Sequence, residues 1–238
     1  MDFPFYYLSK LTKSGYQITV PSSTYAPWHS DKTFLDLFWS QKRDSLVNIY
    51  QAWELWRTVG ESEQIPGDIL EVGVWRGSTS IIMGTKLQQI RSIKTVYGCD
   101  TFSGVALAGS ENDNFYKGGE HSDTSLESTM KRIRKAGLDN VQLLQGIFPD
   151  ESGGQLEDKT FSICHIDVDA YQSGRAVLEW VWPRLTTGGV IIFNDYGFPL
   201  TKGITKLVNE QSGKVGRMVI HNLNGNGIIV KTNGGNDE

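Results

Sequence analysis

The sequence lacks the features that mark secreted, membrane-spanning and nucleic-acid-binding proteins. It has only two cysteines, Cys99 and Cys164, each inside a predicted strand, so we expect core thiols in a reducing compartment and neither a disulfide nor a zinc site. No window approaches ~18 uninterrupted apolar residues, and residues 1–13 lack the basic and apolar runs of a signal peptide. The formal net charge of -4 favours neither nucleic acid nor an anionic membrane as a partner. We therefore expect a soluble, cytoplasmic protein.

The glycine fingerprints of common nucleotide-binding loops are also missing. Gly73 and Gly77 give the spacing Gly-x-x-x-Gly, without the Gly-x-Gly-x-x-Gly of dinucleotide binders or the Lys-Ser/Thr of a phosphate-binding loop. This disfavours a hydride-transferring dehydrogenase. Gly73 would allow a tight turn, Gly77 the approach of a ligand, and the nearby Glu71 favours a cofactor that carries a positive charge or hydroxyl groups.

Strand and helix patterns alternate from Pro66 onward. Five strand–helix steps and a final strand pair predict a Rossmann-like α/β fold: a mostly parallel seven-stranded sheet, helices on both faces and an antiparallel edge hairpin. We divide the chain into an N-terminal helical extension or lid, 1–65, and a sheet domain, 66–238. The predicted strands are Asp68–Val74, Thr95–Asp100, Val141–Gln145, Phe161–Asp167, Val190–Phe193, Arg217–His221 and Gly227–Lys231. The predicted helices are Ser40–Val59, Ser78–Ile90, Thr124–Ala136, Tyr171–Arg184 and Thr201–Glu210, and Met1–Pro27 is predicted to be irregular.

Polar side chains follow two neighbouring strands of this sheet. Asp167 and Asp169 come at the end of the fourth strand, and Asn194 and Asp195 follow the fifth. The carboxyl ends of such strands face one crevice, where ligands bind, and oxygen ligands suit Mg²⁺ or Mn²⁺. Since residues two apart on a strand point the same way, one aspartate can ligate while the other faces a substrate. We interpret His165 as a core residue, with ligand or second base as the alternatives.

Four motifs resemble the macrocin O-methyltransferase family, also called TylF-type methyltransferases. The motifs are 68–78 (DILEVGVWRGS), 97–104 (YGCDTFSG), 165–171 (HIDVDAY) and 188–196 (GGVIIFNDY), in that order. The resemblance covers over half of the chain. It implies a class I methyltransferase fold, S-adenosylmethionine and Mg²⁺ as cofactors, sugar hydroxyls of glycosylated natural products as acceptors, and a homo-oligomer.

The resemblance also implies roles for individual residues. Glu71, Gly73 and Gly77 would line the methionine part of the cofactor, with Ser78 beside them at the helix start. Asp100 would hold the ribose, with Thr101 and Ser103 along it, and Gly146, Ile147 and Phe148 would flank the adenine.

For the chemistry, the resemblance implies that Asp167 is a metal ligand and Asp169 the general base. Asn194 and Asp195 would complete the metal site. Relatives commonly have Asp-Asp where this chain has Asn194-Asp195, so one negative charge is lost, and Asn194 either ligates through its carbonyl or lies behind the ligands.

Three hypotheses of function follow. The leading one is methylation of a sugar hydroxyl in a glycosylated small molecule or a glycan. A catechol-like phenol is the alternative acceptor, because the same metal geometry would chelate vicinal aromatic oxygens. A non-catalytic cofactor-binding or assembly subunit is the third, and Asn194 is the feature that favours it. His121 in a polar loop, and Tyr171 and Tyr196 beside the aspartates, are further candidates for the acceptor pocket.

Overall fold

A computed structural model describes residues 25–109, 111–222 and 225–234, and these contain the predicted seven-stranded sheet. The strands are β1 (Asp68–Val72), β2 (Val96–Asp100), β3 (Val141–Gln145), β4 (Phe161–Ile166), β5 (Leu185–Phe193), β6 (Arg217–Asn222) and β7 (Asn226–Lys231). The α-helices are α1 (Lys32–Gln41), α2 (Ile49–Glu61), α3 (Ser78–Gln89), α4 (Leu126–Lys135), α5 (Tyr171–Val181) and α6 (Lys202–Asn209).

The strand order β3-β2-β1-β4-β5-β7-β6 confirms the predicted fold class. β1 to β5 pair in parallel, and β7 pairs antiparallel with both β5 and β6. The chain leaves β1 for β2 on one side and returns to β4 on the other. The carboxyl ends of β1 and β4 therefore border the switch point of the sheet, where α/β proteins bind ligands.

Side-chain alternation along the strands builds a core on each face. Ile69 on β1 packs with Leu55, Val59 and Met83 of the helices α2 and α3. Leu70, its neighbour, packs in the opposite core, which contains the buried side chains of α5 and α6. Burial of apolar area on both faces supplies most of the driving force for the fold.

The N-terminal helices differ from the prediction. Instead of one helix over Ser40–Val59, α1 and α2 are separated by a short 3₁₀ turn at Lys42–Asp44 and extended backbone at Ser45. The helix pattern missed the start signal at Asn48, whose side chain accepts the N–H groups of Tyr50 and Gln51 in a capping box. Of the predicted irregular segment Met1–Pro27, residues 1–24 lie outside the described residues.

An aromatic cluster joins these helices to the sheet domain. Trp28, Phe34, Phe38 and Trp56 are buried together and pack against Ile82 of α3. The indole N–H of Trp56 donates to Asp31, which also caps α1. The two helices thus share a core with the sheet domain.

Three other expectations can be compared with the structure. Cys99 and Cys164 are free and fully buried, as predicted for core thiols. Within the described residues, no helix is both long and apolar enough to cross a membrane. The predicted helix Tyr171–Arg184 ends earlier, at Val181, because Pro183 lies in a 3₁₀ turn that follows it.

Candidate active site

A cavity of about 450 Å³ lies at the carboxyl ends of the parallel strands. Its walls come from the turns after β1, β2, β3, β4 and β5 and from the segment that precedes α2. The predicted cofactor residues that line it are Gly73, Ser78, Asp100, Thr101, Gly146, Ile147 and Phe148, and the predicted metal or catalytic residues are Asp167, Asp169, Asn194 and Asp195. The strand-end pattern thus placed most of the candidate residues in one crevice.

Gly73 is required by the close approach of two backbone segments. Its φ is +93°, in the region that favours glycine, and a Cβ there would lie 1.8 Å from the carbonyl oxygen of Asp167. The Asp167 N–H donates to the Val72 carbonyl at 2.8 Å, so this contact sets the height of the aspartate above the sheet.

Asp100 organises the turn after β1. Its Oδ2 accepts the backbone N–H groups of Val74 and Trp75 at 2.7 and 2.8 Å, and its Oδ1 accepts that of Phe102 at 2.6 Å. A carboxylate has about four acceptor positions, so capacity for ribose hydroxyls remains on the cavity side.

Three predicted cofactor residues do not line the cavity. Glu71 is fully buried behind it, where it accepts from Ser80 and pairs with His165 Nδ1 at 3.0 Å. Gly77 starts α3, and a Cβ there would lie 2.8 Å from Thr129 Cγ2, so it serves packing. Ser103 is exposed, and its N–H donates to the hydroxyl of Thr101.

Burial opposes the charged form of His165, but the hydrogen bond and the charge of Glu71 outweigh this and raise its pKa. His165 is 1% exposed, and the structure places it outside the group of side chains that can hold an ion. This agrees with its interpretation as a core residue.

Asp167, Asp169 and Asp195 converge on one point. One carboxylate oxygen from each lies within 4.8 Å of the others. The convergence has a different cause from the predicted alternation, because β4 ends at Ile166 and Asp169 adopts a left-handed conformation with φ +61°. Asp195 has φ +63°. Such strained non-glycine residues cluster at functional sites.

The three carboxyl groups resist ionisation together. Burial, followed by the charge of a neighbouring aspartate, raises the pKa of Asp167 to about 7, that of Asp169 to about 7 and that of Asp195 to about 8. Neither lysine nor arginine occurs among the described residues that line the cavity. Among the described residues, only the buried His165 behind the cavity acts on Asp167 and Asp195 as a positive neighbour that lowers their pKa.

The carbonyl oxygen of Asn194 does not face the point on which the three carboxylates converge. Its Nδ2 donates to Asp167 Oδ2 at 2.9 Å, while its Oδ1 accepts the N–H of Asp195 at 2.9 Å and the side-chain amide of Gln51. The group of side chains that could hold an ion contains Asp169 and not Asn194, which the sequence analysis placed in the metal site either as a ligand or behind the ligands.

Tyr116 is a candidate that the sequence analysis missed. Its hydroxyl donates to Asp169, and burial followed by the charge of that aspartate raises its pKa. His121 Nε2 lies 3.4 Å from the same hydroxyl and lines the cavity, so the polar loop ahead of α4 does reach the site. No sequence pattern placed Tyr116, because it lies in a loop without regular periodicity.

Tyr171 and Tyr196 have other partners. The Tyr171 hydroxyl donates to Glu210 at 2.7 Å, and that of Tyr196 to Asn209 at 3.0 Å. Neither residue lines the cavity.

The sheet order and the cavity at its switch point define the class I methyltransferase fold. The O-methyltransferase NovP has a similar structure, with a TM-score of 0.66 and 24% identity over 79% of this chain and 82% of that one. The macrocin O-methyltransferase (TylF) family model matches residues 47–215. The chain belongs to this family and is an O-methyltransferase.

Curated relatives agree with that assignment. The chain is 29% identical over 178 residues to the 8-demethyl-8-(2,3-dimethoxy-alpha-L-rhamnosyl)-tetracenomycin-C 4'-O-methyltransferase of Streptomyces olivaceus, covering 71% of this chain and 67% of the relative. It is 31% identical over 161 residues to the mycinamicin III 3''-O-methyltransferase of Micromonospora griseorubida, covering 63% of each.

Proposed function

We propose that the protein transfers a methyl group from S-adenosylmethionine to a sugar hydroxyl of a glycosylated small molecule, assisted by Mg²⁺. The observation that carries this is the group of three carboxylates at the cavity, with no lysine or arginine among the described lining residues. Clustered carboxylate oxygens are the donor set that a hard divalent cation prefers.

The cofactor would lie over β1, β2 and β3. Gly73 opens the space above β1, Asp100 offers acceptor positions for the ribose, and Gly146, Ile147 and Phe148 follow β3. The acidic, lysine-free lining suits a sulfonium better than a pyrophosphate. Proteins of this fold have been solved with S-adenosylhomocysteine, from Bacillus cereus, and with S-adenosylmethionine, TomG from Streptomyces achromogenes.

The carboxylates would act on the acceptor hydroxyl. A divalent cation held by Asp167 and Asp195 would lower the pKa of that hydroxyl and orient it. Asp169 is the side chain that we assign to accept the proton, since it belongs to the carboxylate group and also contacts Tyr116. The Tyr116 hydroxyl holds Asp169 in place. Fixed positions of donor and acceptor would contribute by proximity.

The acceptor would enter over β4 and β5, on the side opposite the adenine. Phe198 and Leu200, which follow β5, line the cavity and remain 40% and 50% exposed, and Leu46, ahead of α2, lines it and is 71% exposed. Such a wall suits an acceptor with an apolar body beyond its reacting sugar. The two curated relatives act, by their names, on a rhamnosylated tetracenomycin and on a mycinamicin, which supports a glycoside acceptor.

A methylation assay tests the proposal. Purified protein with S-adenosylmethionine should methylate a deoxysugar glycoside, lose activity with EDTA and regain it with Mg²⁺. Asp169→Asn should abolish turnover while S-adenosylhomocysteine still binds in isothermal titration calorimetry. Absence of heat with S-adenosylhomocysteine would contradict the cofactor assignment, and full activity in EDTA would contradict the metal assignment.

The same assay addresses the alternatives. Preference for a catechol over the glycoside would favour a phenol acceptor, since vicinal aromatic oxygens would chelate the same ion. The non-catalytic hypothesis rested on Asn194, and the three carboxylates form their group without it.

A further inference from the structure

Two buried amide side chains connect the N-terminal helix α2 to the carboxylate group. Gln51, in the first turn of α2, is 4% exposed, and Asn194, at the end of β5, is 5% exposed. The Gln51 amide donates to Asn194, and the Asn194 amide donates to Asp167. The chain of hydrogen bonds thus ends on a carboxylate that we assign to the ion.

Backbone groups fix the direction of both amides. The N–H of Asp195 can only donate, so the Asn194 oxygen must face it, which leaves the Asn194 nitrogen for Asp167. The Gln51 oxygen accepts the N–H of Asn48 at 3.1 Å, so its nitrogen is left to donate to Asn194 and to the Gly225 carbonyl at 3.3 Å. Turning either amide over would place two donors or two acceptors against each other.

This orientation changes what residue 194 can do for a cation. Its oxygen is occupied by two donors, and its nitrogen cannot ligate. An ionised aspartate at this position could ligate but could not donate to Asp167. Asn194 therefore offers a hydrogen-bond donor where an aspartate would offer a negative charge.

We propose that Gln51 and Asn194 form a clamp that positions Asp167 for the divalent ion, which makes α2 a structural part of the ion site. Asn194 is a positioning residue and not a ligand. The inference rests on the proposed metal-assisted function. It assigns to the N-terminal extension a task beyond covering the cavity, because Gln51 in the first turn of α2 donates directly to Asn194, which in turn donates to Asp167.

The test compares Mn²⁺ affinity by isothermal titration calorimetry in the wild type, Asn194→Ala, Gln51→Met and the double variant. We expect Asn194→Ala to weaken Mn²⁺ binding by about 10- to 100-fold, as for other groups that orient metal ligands. Gln51→Met should weaken it in the same direction. The double variant should bind no more weakly than Asn194→Ala, because both changes break one connected unit.

The direction of the Gln51→Met effect separates the two roles of Asn194. If Asn194 were a ligand, Gln51 would compete with the cation for the same oxygen, and its removal would leave Mn²⁺ affinity unchanged or increase it. That result, or unchanged affinity in Asn194→Ala, would overturn the clamp. Ser125→Ala, which removes the cap of α4, a helix with no residue lining the cavity, is the control for a general loss of helix stability and should leave Mn²⁺ affinity unchanged.

Two measurements keep the inference distinct from the proposed function. A wild-type protein that binds S-adenosylhomocysteine but no Mn²⁺ would refute the metal assignment and the clamp with it, whereas Mn²⁺ binding that none of the variants alters would refute the clamp alone. If Gln51→Met does not fold, the side-chain amide protons of Asn194 in ¹⁵N spectra of the wild type replace it. They should exchange slowly and stay protected when Mg²⁺ is added, and fast exchange would overturn the clamp.

Discussion

Removing the divalent ion should make the protein sensitive to pH between about 6 and 8. The group that titrates is the cluster of Asp167, Asp169 and Asp195, whose pKa values are raised to about 7, 7 and 8 by burial and by one another. A bound cation needs these carboxyls ionised, so binding must expel the protons that they carry.

The number of expelled protons follows from these values. At pH 6.5 the metal-free cluster holds about 2.5 protons, and at pH 8.5 it holds less than about half a proton. The apparent affinity for Mg²⁺ or Mn²⁺ should therefore rise by more than about 100-fold per pH unit near pH 6 and become nearly constant above about pH 9.

The stability of the metal-free protein should change in the opposite direction. Each folded pKa lies above the ordinary value of 3.8, so the folded state binds more protons than the unfolded state between pH 4 and 8. The contribution of these protons to the free energy of unfolding is complete below pH 4 and is lost as the pH rises through 7 to 8. Raising the pKa of one carboxyl by about three units corresponds to about 4 kcal/mol of unfolding free energy. The contributions of the three carboxyls are not additive, because the same mutual repulsion raises all three pKa values.

Calorimetric titration with Mn²⁺ in buffers of different ionisation enthalpy counts the protons directly. Thermal unfolding in EDTA, compared with unfolding in saturating Mg²⁺, measures the stability. Asp195→Asn is the matched control, and it should release about one proton fewer at pH 6.5. No proton release at pH 6.5, or a metal-free protein that becomes more stable from pH 6 to 8, would refute the reasoning.

Three other substitutions test single features of the site. Gly73→Ala should destabilise the protein by more than about 3 kcal/mol in urea unfolding, because its Cβ would overlap a backbone carbonyl. Gly154→Ala is the control and should change stability by less than about 1 kcal/mol, because open space surrounds that position. Similar values for both variants would contradict the close contact at Gly73. Tyr116→Phe should lower kcat by about 10- to 100-fold through loss of its hydrogen bond to the proposed base, with S-adenosylhomocysteine affinity unchanged. Tyr50→Phe, at an exposed tyrosine, is the control. An unchanged kcat in Tyr116→Phe would count against this role. Glu71→Ala should destabilise the protein by about 3 kcal/mol, because it leaves buried partners unpaired, while S-adenosylhomocysteine affinity stays within about twofold. A large loss of that affinity in a stable Glu71→Ala protein would instead restore Glu71 as a cofactor residue.

The fold was predictable because its signals are local. Apolar runs of four to six residues, each followed by a polar turn, determine the strands, and the positions of the parallel strands then bring their ends together. That is why Gly73, Asp100, Asp167 and Asp195 line one cavity as expected. The helix over Ser40–Val59 was wrong because apolar spacing continues across residues 42–48, where a 3₁₀ turn, extended backbone at Ser45 and the cap at Asn48 interrupt the helix.

The details of the site depend on contacts that sequence spacing does not encode. Alternation along a strand predicted that Asp167 and Asp169 share a side, and they do converge, but through a left-handed residue that no pattern indicates. Tyr116 reaches Asp169 from a loop 53 residues earlier in the chain.

Asn194 shows most clearly how contacts favour one of two roles that the sequence leaves open. Its position beside Asp195 at a strand end predicts a place near the aspartates, and it lines the same cavity. The role that we propose for it also involves Gln51, 143 residues away, which donates to the same Asn194 oxygen as the backbone N–H of Asp195. The same side chain would be a ligand if its oxygen faced Asp167 and is a donor because a backbone N–H holds that oxygen elsewhere. The missing charge at position 194 therefore does not by itself argue against the proposed metal: three carboxylates form a group that could hold an ion, and the Asn194 amide donates to one of them.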